Sequence, residues 1–307
     1  MSFSAQAKAE LCQFRAEKKS LALAECYGIL LYGHSFSARE IRLITASDAF
    51  AQRLPRLFRR AFGLSFDQLP PEGAAGKRSF AVTDREKLRR IFDAFGAEPD
   101  STLSHHINFG VLEEEGCMEA FIRGAFLAGG SVTDPEKRYH LELATSHQSV
   151  SRETVSVLLD LGFSPKETMR QANALLYFKK ADVIADFFTA IGAPVTAMNV
   201  MTAKVDKEMR NKVTRLTNCD VANADKTVAA AQEQIDAIRA VAREYGGLDA
   251  LPEPLKDAAL LRITNPEASL ADLSRLSSPQ VTKSCLSHRL KKLVAMAEKL
   301  PQCAAEE

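Results

Sequence analysis

Residues 121–135 read F-I-R-G-A-F-L-A-G-G-S-V-T-D-P and join an apolar helical run to a cluster of small residues. Gly124, Ala128, Gly129 and Gly130 have little or no side chain, so they weaken an isolated helix but allow another backbone to approach it closely. The pattern therefore predicts a helix that packs against a second helix of the same kind.

A second copy of this pattern lies 96 residues earlier in the chain. The run G-I-L-L-Y-G-H-S at 28–35 aligns with G-A-F-L-A-G-G-S at 124–131, and I-F-D-A-F-G-A at 91–97 aligns with F-F-T-A-I-G-A at 187–193. Further matched pairs are Thr45 with Thr145, Gly63 with Gly162, Phe80 with Phe178 and Asp84 with Asp182. These matches indicate an internal duplication of roughly a hundred residues.

The duplicated pattern resembles the LAGLIDADG fold of homing endonucleases, in which two pseudo-symmetric halves pack their signature helices together. Residues 122–130 occupy the nine signature positions. In that family the residue before the last glycine is a carboxylate that holds a divalent metal. Here it is Gly129, and Gly33 in the other half. The resemblance therefore implies a LAGLIDADG-like scaffold without the metal site or the nuclease activity, and no catalytic residue is expected.

Apolar periodicity predicts the same element order in both halves: helix, strand, helix, strand, strand, helix. The resemblance implies that the three strands of each half lie in a saddle-shaped sheet. In the first half we expect two helices within 4–33, strands at 40–45, 64–69 and 78–83, and helices at 48–62 and 84–95. In the second half we expect helices at 113–129, 149–161 and 181–191, and strands at 139–145, 166–171 and 175–179. Glu113, Glu114 and Glu115 are interpreted as first-turn acids that complement a helix dipole.

Seven cations lie on or near these strands: Arg39, Arg42, Lys77, Arg78, Arg138, Lys166 and Arg170. In DNA-cutting relatives the saddle lies in the major groove, so these side chains could contact DNA. The alternative is that they are solvated charges. Residues 1–203 carry 24 basic and 24 acidic side chains, and this neutral balance favours the alternative.

Beyond residue 254 the pattern changes to three helices separated by tight breaks, which is the outline of a helix-turn-helix. We predict helices at 255–262 and 269–276 and a third that opens with Ser278 as N-cap and Pro279 in its first turn. The apolar stripe of the third helix comprises Leu286, Leu290, Leu293, Ala297 and Leu300. The candidate DNA-binding residues are Gln280, Lys283, Ser284, Ser287, His288, Arg289, Lys291 and Lys292. Short polar groups can contact base edges while cations hold phosphates, although an ordinary amphipathic surface helix has the same periodicity.

A helical linker is predicted between the two domains. We place the LAGLIDADG-like domain at 1–197, with repeats at about 1–97 and 113–193, the linker at 198–250 and the helix-turn-helix domain at 251–307. The alanine-rich run 227–245 is a strong helix former that Gly246 and Gly247 end. Possible phosphate contacts in the linker are Lys204, Lys207, Arg210, Lys212 and Arg215, although a solvated linker helix explains them equally well.

The chain resembles the WhiA family of bacterial regulators over nearly its whole length. The segment V-D-K-E-M-R-N-K-V-T-R-L-T-N-C-D-V-A-N-A-D-K at 205–226 and the run V-T-K-S-C-L-S-H-R-L-K-K-L from Val281 carry this resemblance. It implies an α+β protein, a duplicated LAGLIDADG-like domain followed by an all-helical DNA-binding domain. It further implies a sequence-specific DNA-binding protein in transcription regulation, sporulation, cell division and chromosome segregation, with duplex DNA, the sigma subunit of RNA polymerase and other regulators as partners. The rival interpretations are an active endonuclease and a protein-binding division adaptor.

Composition excludes several other classes of protein. No apolar run approaches the ~18 residues of a membrane span, and the N-terminus lacks the order of a secretion signal, so we expect a cytoplasmic, nucleoid-associated protein without a membrane partner. The six cysteines show no C-x-x-C spacing, and no P-loop or dinucleotide motif is present, so we expect reduced and mostly buried thiols, no cofactor and no small-molecule substrate. Two constellations, the pair His105 and His106 and the pair Ser131 and His147, are interpreted as structural. Asp134 and Glu136 follow the second signature helix closely, so a metal site displaced from the signature position remains an alternative.

Overall fold

The first repeat forms the predicted helices and two of the predicted strands. The computed structural model describes residues 2–71, 76–97 and 104–300. Its elements in this repeat are α1 (Phe3–Leu11), α2 (Lys19–Leu31), β1 (Ser35–Phe36), β2 (Ile41–Thr45), α3 (Asp48–Phe62), β3 (Arg78–Val82) and α4 (Arg85–Ala94). The sheet order is β1-β2-β3, and both pairs are antiparallel.

The second repeat has the same order with one more strand in its sheet. Its elements are α5 (Cys117–Gly129), β4 (Gly130–Val132), β5 (Leu141–Thr145), α6 (Gln148–Asp160), β6 (Lys166–Arg170), β7 (Asn173–Phe178) and α7 (Ala181–Ala190). The strands lie in the order β4-β5-β7-β6. We predicted three strands in this half and missed β4, as we missed β1 in the first, because strands of two or three residues are too short to show alternation.

The predicted strand at 64–69 is wrong. Among the described residues this segment makes one isolated bridge, between Gln68 and Ala81. The backbone N–H groups of Asp67 and Gln68 both donate to the carbonyl oxygen of Ala81, so two residues oppose one and a regular ladder does not continue. The run P-P-E-G-A-A-G at 70–76 has the composition of a turn, and most of it, residues 72–75, lies outside the described residues.

The strand register corrects one part of the sequence alignment of the repeats. Leu43 pairs with Phe80 in the first sheet, and Leu143 pairs with Leu176 in the second. Leu43 and Leu143 are equivalent, because each lies two residues before the matched threonine of its repeat. Their partners are therefore equivalent too, so Phe80 corresponds to Leu176 and not to Phe178. A slip of two residues goes unnoticed in sequence because it keeps every side chain on the same face of the strand.

The start of α5 also differs from the prediction. The helix begins at Cys117, after Gly116, whose φ of 83° lies in the left-handed region. Glu113, Glu114 and Glu115 therefore precede the helix and are not first-turn acids. Glu114 instead accepts a hydrogen bond of 2.6 Å from the Ser20 hydroxyl. The prediction failed because consecutive acids do not show where a helix begins when the residue that opens it is a glycine.

The two signature helices, α2 and α5, cross at Gly28 and Gly124. A Cβ atom at Gly124 would overlap the carbonyl oxygen of Glu25 and lie 3.0 Å from the amide nitrogen of Ile29. A Cβ atom at Gly28 would overlap the carbonyl oxygen of Phe121 and lie 2.8 Å from the amide nitrogen of Ala125. The backbones are therefore in direct contact, which confirms the predicted twin helices.

A buried ionic cluster lies beside this crossing. The Glu25 carboxylate is 0% exposed and accepts hydrogen bonds from Arg53 Nη2 at 2.8 Å and from Arg123 Nε at 3.2 Å. Arg123 is 2% exposed, and its Nη1 also donates to the carbonyl oxygen of Ile191 at 2.9 Å. Burial lowers the pKa of Arg123, and the neighbouring Glu25 opposes that shift. Sequence patterns do not indicate that these residues meet, since Glu25, Arg53 and Arg123 lie in different helices.

The described cysteines are free thiols with mixed environments. Cys26 and Cys117 are buried, Cys12 and Cys285 are partly buried, and Cys219 is exposed. Burial raises the pKa of Cys12 to about 12, so its thiol stays protonated at neutral pH. The expectation of mostly buried thiols therefore holds for two of these five, and Cys303 lies outside the described residues.

The C-terminal part of the chain begins with one long helix. α8 (Pro194–Glu244) is one continuous helix through most of the segment 198–250 that we predicted as a helical linker, and α9 (Glu253–Thr264), α10 (Leu270–Leu276) and α11 (Lys283–Glu298) follow. The chain divides into two compact units, Met1–Glu208 and Met209–Glu307, and the boundary falls within α8. Despite this length, no helix among the described residues is apolar enough to cross a membrane.

Candidate nucleic-acid interface

The C-terminal unit positions α11 through a small hydrophobic core. Leu286, Leu290 and Leu293 of α11 are buried, together with Leu273 of α10. The other buried members are Ile238, Val241, Leu251, Leu255, Ala258 and Ala259. This core fixes which face of α11 is covered, and it includes two residues of α8 from the segment that we assigned to the linker.

The third helix begins four residues later than we predicted. Its N-cap is Thr282, whose Oγ1 accepts a hydrogen bond of 3.3 Å from the amide nitrogen of Cys285. Ser278 and Pro279 instead belong to the turn between α10 and α11. The pair Ser278 and Pro279 favours the start of a helix, and so does Thr282. The hydrogen bond from Cys285 to Thr282 shows that the helix starts at Thr282. Gln280 is therefore an exposed turn residue and does not lie on the helix.

Hydrogen bonds hold this turn in place. The Ser274 hydroxyl donates to the carbonyl oxygen of Val281 at 2.6 Å, and Ser277 Oγ accepts from the amide nitrogen of Val281 at 3.0 Å. Val281, the residue before the N-cap of α11, is thus tied to the C-terminal end of α10. The start of α11 consequently has a fixed direction, as a recognition helix requires.

The face of α11 opposite the core carries the predicted side chains. Ser284, His288 and Lys291 are exposed on one side of the helix, as their spacing of four and three residues predicts. Lys292 flanks them and is also exposed, and Lys283 is exposed in the first turn of the helix. Ser287 and Arg289 are half-buried, and Arg289 lines a cavity of about 470 Å³ beside α9. Helical spacing therefore brings together Ser284, His288, Lys291 and Lys292, while Lys283 and Arg289 lie off this face, toward the side of the buried leucines.

A buried arginine that sequence reasoning missed supports the helix-turn-helix. Arg262 of α9 is 2% exposed, its Nε donates to Gln234 Oε1 of α8 at 3.0 Å, and its Nη1 donates to the carbonyl oxygen of Ala268 at 2.7 Å. It therefore links three segments of the C-terminal unit. The available signal was its spacing from Leu255, Ala258 and Ala259, which places it on the apolar face of α9.

The five predicted phosphate contacts on α8 do not form one group. Lys204 Nζ donates to Asp182 Oδ1 at 2.6 Å, and this hydrogen bond raises the pKa of Lys204. Lys207 Nζ donates to the carbonyl oxygen of Pro135 at 2.6 Å and lies 4.7 Å from the centre of the Tyr139 ring. Both ammonium groups thus donate hydrogen bonds to other residues of the N-terminal unit. Arg210, Lys212 and Arg215 are exposed on α8.

The ends of the signature helices have no space for a metal-binding side chain. A Cβ atom at Gly33 would lie 2.5 Å from Leu43 Cδ2 and 2.9 Å from the carbonyl oxygen of Ile29. A Cβ atom at Gly129 would overlap the carbonyl oxygen of Ala144. A carboxylate at Gly129 would force the end of α5 away from β5, whereas one at Gly33 would have to displace the end of the Leu43 side chain and would crowd the last turn of α2.

The other residues considered for chemistry have structural partners. Asp134 Oδ1 accepts a hydrogen bond from the amide nitrogen of Glu136 and so closes its own turn. His106 Nδ1 lies 2.6 Å from Glu153 Oε1, and the His147 ring packs on that of His105. Burial and the neighbouring His105 lower the pKa of His147 to about 4, so this imidazole is neutral at pH 7. Within residues 2–71, 76–97 and 104–300, no group of three or more His, Cys, Asp or Glu side chains could hold a metal ion.

Several cations of the sheets are paired with carboxylates. Arg42 Nη2 lies 2.6 Å from Glu40 Oε1, and Arg170 Nη2 lies 3.4 Å from Glu142 Oε2. Arg78 pairs with Asp48 of α3. These pairs favour the interpretation of the sheet cations as solvated, locally balanced charges.

Two family models match the chain. The WhiA LAGLIDADG-like domain matches residues 118–210, and the WhiA C-terminal HTH domain matches residues 213–297. The first match covers the second repeat and the start of α8. The second covers α9 to α11, so it independently confirms the helix-turn-helix that the sequence predicted.

Relatives match the chain over its length. The probable cell division protein WhiA of Ruminiclostridium cellulolyticum is 34% identical over 309 residues, which cover 98% of each chain. The protein of the same name from Clostridium perfringens (strain 13) is 34% identical over 312 residues, also 98% of each. The crystal structure of full-length WhiA from Thermatoga maritima has a TM-score of 0.60 and 25% identity and covers 99% of this chain and 100% of that one. The chain belongs to the WhiA family.

Proposed function

We propose that this chain is a sequence-specific DNA-binding protein that acts in cell division, with α11 as its recognition helix. One observation carries the proposal: the core of the C-terminal unit leaves exposed the single face of α11 that combines Ser284 and His288 with lysines. Short polar side chains can contact base edges, and lysines can hold the phosphates on either side. The relatives named probable cell division proteins support the cellular role.

We further propose that binding regulates transcription, with chromosome segregation and, in spore-forming bacteria, sporulation among the affected processes. The sigma subunit of RNA polymerase is a partner that such a regulator would contact. Residues 1–197 would then act as a scaffold, 198–250 as a linker and 251–307 as the DNA-binding domain. Ile238 and Val241 would belong functionally with the last of these, because they are buried in its core.

Genome-wide mapping of bound DNA, combined with the phenotype of a deletion strain, tests this proposal. Discrete peaks at promoters together with a division defect are the expected result. Absent or diffuse binding with the same defect would contradict it and would favour a protein-binding adaptor.

Replacing Lys291 or Lys292 by alanine in the full-length protein should weaken binding to all duplex sequences about equally. Each lost phosphate contact lowers the slope of log affinity against log salt concentration by about one. Fluorescence anisotropy across a salt series measures both effects. Lys180→Ala is the matched control, since Lys180 is an exposed lysine at the start of α7 in the N-terminal unit. An equal loss in the control would show that binding depends on overall charge and not on α11.

Replacing Ser284 or His288 by alanine should instead reduce the preference among DNA sequences. Each lost base contact costs about 1 to 3 kcal/mol of discrimination, while the salt slope changes little. The measurement compares the affinity of each variant for a selected site and for a scrambled site. An equal loss of affinity for both sites would show that these side chains contact the DNA phosphates and not the bases.

Purified protein with Mg²⁺ or Mn²⁺ should leave duplex DNA intact, because Gly33 and Gly129 present no carboxylate and no space for one. Gel analysis of supercoiled plasmid after incubation with each metal is the measurement. Metal-dependent cleavage that disappears in Asp134→Ala or Glu136→Ala would contradict this expectation and locate a displaced active site.

A further inference from the structure

A cavity of about 580 Å³ opens in the N-terminal unit between the segment 12–17 and α3. Four arginines line it, Arg15, Arg53, Arg56 and Arg60, together with one carboxylate, Glu17. This local excess of positive charge contrasts with the neutral balance of residues 1–203. The cavity lies outside the helix-turn-helix and outside the ends of the signature helices.

The floor and the rim of the cavity differ in their charge balance. Arg53 forms the floor and pairs with the buried Glu25 at 2.8 Å. Arg15, Arg56 and Arg60 are exposed at the rim, and within the described residues they have no carboxylate partner. Arg56 and Arg60 stand one helical turn apart on α3, so their like charges repel each other unless an anion binds between them.

The segment that carries Arg15 is fixed in position. Arg53 Nη1 donates hydrogen bonds to the carbonyl oxygens of Cys12, at 3.1 Å, and of Phe14. The other guanidinium nitrogens of Arg53 are held by the buried Glu25. Both walls of the cavity are therefore anchored to the same buried ion pair, and a ligand would not have to order them.

We propose that this cavity binds a small anion that carries two or more phosphate groups. Arginine guanidinium groups match phosphate oxygens in bidentate geometry, and three of them around one opening suit more than one phosphate. The volume lies in the ordinary range of small-molecule sites, whereas a DNA duplex is too wide to enter. Phe14, which is 38% exposed and also lines the cavity, offers an aromatic surface next to the cations.

Isothermal titration calorimetry of the full-length protein with inorganic tripolyphosphate tests the proposal. Arg56→Gln, Arg60→Gln and Arg15→Gln should each weaken binding about tenfold, because each removes a charge-assisted hydrogen-bond donor. Arg59→Gln is the matched control: Arg59 is exposed on the same helix but does not line the cavity, so its replacement should leave the affinity unchanged. Circular dichroism melts establish that all four variants fold as the wild type does.

Two further titrations define the ligand. Tighter binding of ATP than of tripolyphosphate would identify a nucleotide site, and equal binding would identify a site for the polyphosphate group alone. The proposal is overturned if millimolar tripolyphosphate does not bind, or if Arg59→Gln weakens binding as much as Arg56→Gln. It is also overturned if Arg56→Gln lowers the affinity for duplex DNA and duplex DNA displaces tripolyphosphate, because the arginines would then hold the DNA backbone.

Discussion

Replacing Gly124 by leucine is expected to destabilise the N-terminal unit by at least about 3 kcal/mol, the upper end of the usual cost of overpacking. The Cβ atom alone would overlap the carbonyl oxygen of Glu25, and backbone atoms cannot move aside as a side chain does. The two signature helices would have to separate, which disturbs the core on both sides. Gly28→Leu should have a similar effect, because the equivalent atom of Gly28 meets the carbonyl oxygen of Phe121.

Urea unfolding followed by far-ultraviolet circular dichroism measures this effect, since the chain has no tryptophan to report on unfolding. Gly110→Ala is the control. Gly110 lies outside the crossing, and a Cβ atom there would meet only the side-chain oxygen of Asn108, at 3.2 Å, a contact that a shift of a few tenths of an ångström relieves. Equal unfolding midpoints for Gly124→Leu and the wild type would show that α2 and α5 do not cross at these glycines.

Replacing Glu25 by glutamine should cost about 3 to 5 kcal/mol of folding free energy, because it leaves the buried Arg123 and the partly buried Arg53 without their shared counter-charge. Glutamine keeps nearly the size and shape of glutamate, so a loss of this magnitude would come from charge and hydrogen bonding and not from a cavity. Arg53 is affected most, because both Nε and Nη2 donate to this carboxylate. The loss should appear in the unfolding of the N-terminal unit.

Glu40→Gln is the matched control for this experiment. It removes the same charge from the pair with Arg42, which is solvent-exposed, and such pairs contribute about 0 to 1 kcal/mol. Similar effects of the two substitutions would contradict a special role for the buried cluster. A stability gain on changing Glu25, Arg53 and Arg123 together to apolar residues would agree with it, since buried ion pairs often stabilise less than well-packed hydrophobic residues.

The helix boundaries show where sequence reasoning worked. The C-terminal end of α3 was predicted because Gly63, with a φ of 69°, ends the helix. The start of α4 was predicted because the Asp84 side chain accepts a hydrogen bond from the amide nitrogen of Lys87. Both signals depend only on residues that are close in the chain. The exposed face of α11 was predicted for a similar reason, since helical periodicity depends only on the order of residues. The crossing at Gly28 and Gly124 followed from the repeat, because one small-residue pattern that occurs twice indicates both partners of the contact.

Properties that depend on residues far apart in the chain could not be predicted. Glu25, Arg53 and Arg123 meet only because α2, α3 and α5 converge, and a sequence window that contains one of them gives no sign of the others. Lys204 and Lys207 are of the residue type that contacts phosphates. In the folded second repeat, however, their ammonium groups donate hydrogen bonds to Asp182 and to the carbonyl oxygen of Pro135. The arginine cavity likewise needs the segment 12–17 to lie against α3. Helix caps, glycines and helical periodicity act over a few residues, so they can be recognised in the amino-acid sequence. Burial, ion pairing and cavities arise from packing between segments that are far apart in the chain, so only the tertiary structure decides them.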